Sequence, residues 1–557
     1  MTGDIKTSFK LAFAQLNPVV GDIAGNLNKA RKVRGPLGKA GAELIAFTEL
    51  YLTGYPLEDL VLKPALQHAA REACEALARE TADGGPAMLM GLPWGDEGVV
   101  YNAVALLANG RIEAVRYKNN LPNYGVFDEK RVFAPGPMPA PIDFRGLSLG
   151  VPICEDIWTG EICESLVQAG AEIFIVPNGS PYWMDKQQTR YEVARARVAE
   201  TGRPLAYLNQ VGGQDELVFD GASFVLNADG ELAVQLPAWT EAVTVTEWRR
   251  EGDRWACLPG AMVEIEKGEA ANYIACVTGL RDYIDKNGFP GVVLGLSGGI
   301  DSALVAAMAV DALGADRVHC VMLPYEYTSR ESLADAEAIA KALGVRYDIT
   351  PIHEGVDGLS KCLEEVLNGA PGDFTLENLQ SRTRGTLLMA ISNKLGPLVL
   401  TTGNKSEVSV GYATLYGDMN GGFNPLKDLY KGQVYALSRY RNTHRPKECL
   451  GPEGPIIPES VLTKDPSAEL KPDQRDVDSL PPYPVLDDIL NCLVEQELPV
   501  PEIIARGHAP ETVRKVEKML YLAEYKRRQA APGVKITERH FGRDRRYPIT
   551  NKFRERT

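Results

Sequence analysis

Apolar and polar positions alternate along the chain in short runs, separated by stretches of helical spacing. In the first half, strand-like runs fall at 9–16, 42–50, 87–93, 101–107, 111–118, 148–154, 172–177, 204–210 and 223–226. Helical spacing occurs at 64–80, 161–169 and 187–201. The Ala/Lys-rich segment after the first strand is expected to stop or kink at Gly35-Pro36, because proline removes a backbone donor and its ring crowds the preceding turn. Asn109-Gly110 lies between two strand-like runs and predicts a tight hairpin. Between 247 and 267 the alternation fades into a mixed polar stretch, which places a domain boundary near 250–270 and divides the chain into 1–260 and 261–557.

After that stretch the order becomes strand, helix, strand, helix. Helical spacing covers 265–284, 303–313, 329–343 and 376–395, and buried strands are predicted at 292–296, 317–323, 345–352 and 397–401. Repeated β-α order predicts a doubly wound parallel sheet with ligands at the carboxyl ends of its strands. The first half, with hairpins as well as interleaved helices, predicts an α/β or α+β sandwich.

Bulk composition narrows the function classes. At 557 residues the chain exceeds one ordinary core, so at least two domains are expected. A net charge of −14 argues against a nucleic-acid or anionic-membrane surface. No run of residues is apolar enough to span a bilayer, and the start MTGDIKTSFK lacks a signal-peptide core. The nine cysteines are scattered with no Cys-x-x-Cys, which fits a reducing cytoplasm and no structural zinc. The basic stretch 535–557 has two open readings, a solvated end or a clamp for phosphate or a neighbouring subunit. The proline-rich stretch 445–482 is expected to be a mobile loop.

GVVLGLSGGIDSALV, 291–305, carries the first chemistry. A buried strand runs into Ser297-Gly298-Gly299-Ile300-Asp301-Ser302 and then into a helix. Adjacent glycines allow close backbone approach, and the free N–H groups of a helix start attract anions. The chain has no Walker A loop, so a P-loop kinase or GTPase is unsupported. Asp301 in an anion site calls for a cation, and Mg²⁺ commonly accompanies phosphates.

Three strand-like runs of the first half end on chemistry: Glu49, Lys118 and Cys154. A thiol needs a base and a nearby cation to act as a nucleophile. TELYLTGYPLEDL, YKNNLPNYGVFDE and VPICEDIW resemble the three blocks of the carbon–nitrogen hydrolase (nitrilase) superfamily. The resemblance implies an α-β-β-α sandwich with Glu49 as general base, Lys118 as oxyanion stabiliser, Cys154 as nucleophile and Glu129 as the additional glutamate. LPNYGVFDE resembles the glutaminase branch, which implies a glutamine pocket at Tyr124, Glu155 and Ser180. Leu57 and Asn119-Asn120 depart from that branch without touching the triad.

The second half resembles the N-type ATP pyrophosphatases, an adenine nucleotide alpha hydrolase-like fold. Its blocks LPYEYTSRESLADA, ENLQSRTRG, TTGNKSEVSVGYATLYGD and DPSAELKPDQRDVDSL are similar to those of the NAD⁺ synthetase family. The resemblance implies ATP binding by Ser297, Gly298, Gly299, Asp301, Ser302, Thr402 and Lys431, with Mg²⁺ on Asp301 and Glu407. It further implies nicotinic acid adenine dinucleotide as substrate, contacted by Asp418, Glu407, Asn378 and Arg382. Arg384 is open between phosphate contact and solvated surface, and the SAEL segment is expected to close over ATP.

The two halves together imply adenylation of a carboxylate followed by attack of ammonia released from glutamine. Ammonium has no lone pair, so delivery through an enclosed passage is expected, and with it a homo-oligomer. The rival readings are an amidotransferase acting on another carboxylate or nucleotide, tRNA included, a catalytically silent scaffold, and two unrelated activities in one chain.

Overall fold

A computed structural model of the chain describes residues 6–555 apart from 97, 253 and 369–373. It divides into two units, Met1–Gln214 with Val218–Glu266, and Asp215–Leu217 with Lys267–Thr557. Among the described residues, no helix is long and apolar enough to cross a membrane.

The first unit is built on two large sheets. A seven-stranded sheet runs in the order Arg254–Cys257, Ala242–Glu251, Ser8–Gln15, Leu44–Ala46, Ala87–Asp96, Val99–Ala108, Arg111–Tyr117. A six-stranded sheet runs Leu232–Gln235, Phe224–Leu226, Leu205–Asn209, Ile173–Asn178, Leu147–Gly150, Ile142–Phe144. Inward side chains of both sheets, among them Phe9, Leu11, Leu89, Leu149, Ile173 and Ile175, form one core. Helices Ile23–Lys39 and Pro64–Glu80 pack on the outer face of the first sheet, and Glu161–Gln168 and Lys186–Thr201 on that of the second. Alternate residues of each strand serve one face, so a strand covered on both sides reads as nearly continuous apolar sequence. The result is an α-β-β-α sandwich.

Three expectations are corrected here. The helix Ile23–Lys39 runs through Pro36 without stopping. Pro36 lies in its last turn on the exposed side, and Lys32, whose carbonyl loses its partner, is exposed to water. The polar stretch after 247 holds strand to Cys257: Ala242–Glu251 pairs with Ser8–Gln15 and with Arg254–Cys257. Trp248 and Trp255 are each 1% exposed and anchor that edge, while Arg249, Glu251 and Arg254 between them are exposed and mask the alternation. The third correction is length. The strand before Cys154 ends at Gly150, and the one before Glu49 ends at Ala46. The Asn109-Gly110 hairpin is present, with φ of 54° and 81°.

The second unit has a four-stranded parallel sheet, ordered Arg346–Ile349, Val318–Met322, Val292–Gly295, Leu398–Val399. Numbered along the chain this order is 3-2-1-4, so the strand direction of travel reverses between Val292–Gly295 and Leu398–Val399. A crevice at such a switch point is where doubly wound sheets bind ligands. The helix after the first of these strands starts at Ile300, three residues before its expected start. Gly299 is its extended N-cap residue, which puts Asp301 and Ser302 in the first helical turn.

Two stretches expected to be loose are packed. Within 445–482, Cys449, Ile456, Ile457, Val461, Leu462 and Leu480 are buried and Glu459–Thr463 is a helix. Six prolines from 452 to 481 dominate the composition there and hide this apolar set. The basic stretch folds back onto acids of its own unit over 535–545, while Arg546 and Lys552 are exposed. Lys535 Nζ lies 2.5 Å from Asp544 Oδ2, and Arg545 Nη1 lies 3.2 Å from Glu524 Oε2. Asp428 Oδ2 accepts the N–H groups of Ile536 and Thr537, both at 2.7 Å. Lys405 Nζ sits 2.7 Å from Asp428 Oδ1 and donates to the Thr537 hydroxyl and the Arg539 carbonyl. Arg556 lies outside the described residues.

Candidate functional sites

In the first unit, the loops that follow four strands bring Glu49, Lys118, Cys154 and Gly179-Ser180 to the same end of the sandwich. Glu49 and Lys118 are fully buried and Cys154 is 5% exposed. The Lys118 Nζ lies 2.7 Å from Glu49 Oε1 and 2.9 Å from Glu129 Oε1. Asn102 Nδ2 also donates to Glu49 Oε1, at 2.8 Å, and the Gly179 N–H donates to Oε2 at 2.9 Å. Tyr55 donates its hydroxyl to Glu129 Oε1 at 3.0 Å. The backbone beneath Glu49 leaves no room: a Cβ on Gly91 would lie 2.3 Å from the Thr48 carbonyl oxygen. Cys154 opens a single 3₁₀ turn, Cys154–Ile157, with a φ of 47°.

The charges follow from this packing. Burial works against the Lys118 ammonium, but the carboxylates of Glu129 and Glu49 outweigh it and hold its pKa well above the usual lysine value. Burial pushes Glu129 up to about 7, with Glu49 adding repulsion and Lys118 opposing. Burial and the Glu49 carboxylate raise the Cys154 thiol well above its ordinary range, against the pull of Lys118. The resting thiol is therefore protonated and needs a base to become a nucleophile.

Beside the cysteine, Tyr124 donates its hydroxyl to the Glu155 carboxylate, 3.0 and 3.1 Å from the two oxygens. The Lys186 ammonium lies 3.3 Å from the ring centroid of Trp183 and 4.1 Å from that of Trp158. Glu155 is raised by burial, and Tyr124, Lys118 and Lys186 hold that rise in check. A carboxylate and an ammonium thus face the same region, a pairing suited to an amino-acid zwitterion. Ser180 is set deeper. Its hydroxyl accepts from Arg190 Nε at 3.1 Å, and Arg190 is paired with Asp220 at 2.7 Å. Asn102, Lys186 and the two tryptophans were missed by sequence reasoning, because neither spacing nor composition marks them. Only Trp158 adjoins a motif.

In the second unit, a cavity of about 310 Å³ opens at the switch point. Ser297, Gly299, Asp301, Ser302, Thr402, Glu407, Asp418 and Lys431 line it. The loop is tied to itself. Ser297 N–H donates to Ser302 Oγ at 3.2 Å, and Ser302 Oγ–H donates to the Gly299 carbonyl at 3.0 Å. Lys431 Nζ lies 2.5 Å from Asp301 Oδ2 and 3.3 Å from Glu407 Oε1. Asn404 donates to Asp301 Oδ1 at 2.8 Å and also caps the helix Lys405–Val410, in which Glu407 is the third residue. That Asn-x-x-Glu capping box is legible in TTGNKSE.

Charge in this cavity is unbalanced. Asp301, Glu407, Asp418, Asp465, Glu469 and Asp476 line it against Arg384, Lys431 and Lys464, and burial together with the neighbouring carboxylates pushes Glu407 up to about 8. Lys431 is raised, since Asp301 and Glu407 outweigh its burial. Two hard carboxylates beside a phosphate-type loop, in surplus over cationic charge, fit Mg²⁺, which is held by one or two carboxylates plus substrate phosphates. Asp301 and Glu407 are the residues that could hold it.

Gly298 has a φ of 78°, and a Cβ there would lie 2.3 Å from the Ser332 carbonyl oxygen. Gly298→Ala is expected to weaken ATP binding at least about tenfold, since both the left-handed backbone and the close approach are lost. Calorimetric titration with Mg-ATP checks this, and affinity within threefold of wild type would remove the loop from the site.

The remaining predicted contacts separate. Arg382 is exposed and donates to the Leu415 carbonyl, while Arg384 lines the cavity and donates to the Leu323 carbonyl at 2.9 Å. Asn378 accepts from the Thr414 hydroxyl at 3.0 Å, outside the cavity lining. The SAEL segment is seated at the cavity: Ser467 to Leu470 line it, and Glu469 accepts from Ser332 Oγ at 2.8 Å.

Two family models match the chain, carbon-nitrogen hydrolase over residues 10–252 and NAD synthase over 272–530. The chain is 52% identical to the glutamine-dependent NAD(+) synthetase of Rhodobacter capsulatus over 550 residues, 99% of each sequence. It is 46% identical to that of Acinetobacter baylyi, covering 98% of this chain and 99% of the relative. Among solved structures, the glutamine-dependent NAD+ synthetase of Acinetobacter baumannii in complex with ADP matches with a TM-score of 0.78 and 44% identity, over 98% of this chain and 99% of that one. The fold is shared with the Cytophaga hutchinsonii enzyme, at a TM-score of 0.80 and 22% identity, over 98% of both chains. The chain belongs to the glutamine-dependent NAD⁺ synthetases.

Proposed function

We propose that the first unit releases ammonia from glutamine and that the second spends it on the adenylated carboxylate of nicotinic acid adenine dinucleotide, giving NAD⁺, AMP and pyrophosphate. The observation that carries the reading is the buried ammonium of Lys118, clasped by two carboxylates next to a thiol. Family membership over both halves favours this acceptor over another carboxylate or a tRNA.

In the first reaction Glu49 takes the thiol proton of Cys154 as sulfur attacks the side-chain amide carbon of glutamine. Lys118 donates to the oxyanion that forms. Collapse breaks the C–N bond, the proton passes to the leaving nitrogen, and ammonia departs from a thioester. Glu49 then accepts a proton from water, which attacks the thioester and frees glutamate and the thiol. Tyr124, Glu155 and Lys186 bind the zwitterionic end of glutamine, and Ser180 shapes the pocket. Glu129 holds Lys118 in place against the pull of Glu49.

In the second reaction Ser297, Gly298, Gly299 and Ser302 hold the phosphates of ATP, and Thr402 contacts the nucleotide. Mg²⁺ on Asp301 and Glu407 supplies charge neutralisation at the phosphates when bound. Lys431 moves its charge from Asp301 to the departing pyrophosphate. Asp418, with Asn378 and Arg382, positions the dinucleotide. We place the reaction in the cytoplasm and assign it to a homo-oligomer, within which ammonia travels shielded from solvent protons.

The test is NAD⁺ formation from nicotinic acid adenine dinucleotide and Mg-ATP, with glutamine or with ammonium chloride as nitrogen source. Both are expected to give NAD⁺ with one AMP per turnover. Absence of NAD⁺ with either source overturns the reading.

A further inference from the structure

One buried carboxylate near the thiol has no part in the chemistry above. Asp156 is 1% exposed, two residues after Cys154 in the same 3₁₀ turn. Its Oδ1 accepts the backbone N–H groups of Asn119, at 3.1 Å, and Asn120, at 2.7 Å. Its Oδ2 accepts the N–H of Ile153 at 2.9 Å. Asn119 and Asn120 directly follow Lys118, and Ile153 directly precedes Cys154.

We propose that Asp156 is the positioning residue that fixes Lys118 relative to Cys154, by bonding the backbone just after the lysine and the backbone just before the cysteine. The inference rests on the roles given to those two residues under Proposed function.

Among the described residues, three donors and no acceptor converge on this side chain, the environment that suits an ionised carboxylate. A carboxamide would turn its own NH₂ toward an N–H and break one side of the clamp. Burial pushes Asp156 up to about 6, and the three N–H groups and Lys118 hold it there, so it is ionised at neutral pH. Besides Lys118, the Cys163 thiol on the helix Glu161–Gln168 feels its charge. The rest of the lysine's backbone is also pinned. Its N–H donates to the Asn102 carbonyl and its own carbonyl accepts from Gly136, both at 2.8 Å. Cys154 sits at a φ of 47°, a conformation that persists in a non-glycine residue only when its surroundings impose it. The Asp156 clamp supplies that constraint on one side and ties it to the oxyanion-binding lysine on the other. A displacement of about 1 Å between such groups costs on the order of a hundredfold in rate.

The test uses the full chain carrying Asp156→Asn, with Cys154 labelled by a diazoketone analogue of glutamine and the site read by mass spectrometry. The expected result is labelling of Cys154 to wild-type stoichiometry at roughly a hundredth of the rate. The kcat for glutamate release should fall by the same factor, with KM for glutamine within about threefold and ammonia-driven synthesis unchanged. Labelling at the wild-type rate, or a loss of turnover matched by an equal loss of labelled protein, overturns the inference. Label on another residue instead overturns the reading of Cys154 itself. Should Asp156→Asn not fold, Asp156→Glu is read in the same way: it keeps the charge but shifts the clamp, and a wild-type rate there overturns the inference.

Discussion

Cys154→Ala is expected to lower glutamine-driven NAD⁺ formation by at least about 10⁴-fold while leaving ammonia-driven formation within about twofold of wild type. The size follows from the site. Glu49 and Lys118 remain buried and paired, but no other nucleophile stands where the amide would be attacked, and water has no thioester to hydrolyse. Alanine fills most of the space of a thiol that is 5% exposed, so the loop should keep its place. The measurement compares NAD⁺ formed with each nitrogen source at saturating Mg-ATP. Glutamine use surviving in the variant would transfer the nucleophile to another residue, and loss of both activities would mean that the substitution damages more than the thiol.

Lys431→Met should have the complementary effect. Synthesis is expected to fall by about 10³-fold with either nitrogen source, because a fixed cation at the departing pyrophosphate is removed. Glutamate release should continue. The apolar stem is conserved, so the loss isolates the ammonium. Without it Asp301 and Glu407 lose the cation they share, and Glu407, already pushed up to about 8, is driven higher still. Ammonia-driven synthesis within threefold of wild type would sink the assignment. A second readout is ATP–pyrophosphate exchange, which should fall with synthesis if the adenylation step is the one affected.

Much of this arrangement was legible in the chain because its chemistry is written next to its secondary structure. SGGIDS lies between a wholly apolar strand and an Ala-rich helix, and TTGNKSE follows another strand, so both could be placed at strand ends before any coordinates. Glu49, Lys118 and Cys154 follow strands in the same way. What stayed hidden depends on partners far along the chain. Nothing local says that Lys186 lies against Trp158 and Trp183, or that Asn102 bonds Glu49 across fifty-three positions. The edge strands Ala242–Glu251 and Arg254–Cys257 failed as a pattern because exposed Glu247, Arg249, Glu251 and Arg254 interrupt the buried Thr246, Trp248, Trp255 and Cys257. Composition misled twice, at the prolines of 445–482 and at the basic stretch, where buried contacts are made by a minority of residues.

The way residues 535–545 fold back gives the molecule a timetable. Lys405 and Asp428, two and three positions from Glu407 and Lys431, are buried under Thr537 and Arg539. A nascent chain still lacking that stretch leaves the Lys405–Asp428 pair without the bonds made by Ile536, Thr537 and Arg539. Removing such a cover leaves buried charge without its hydrogen bonds, which is strongly destabilising. Ribosome-bound intermediates should therefore complete the first unit first, with a firm grip on ATP acquired only once residues 535–545 are free to fold back.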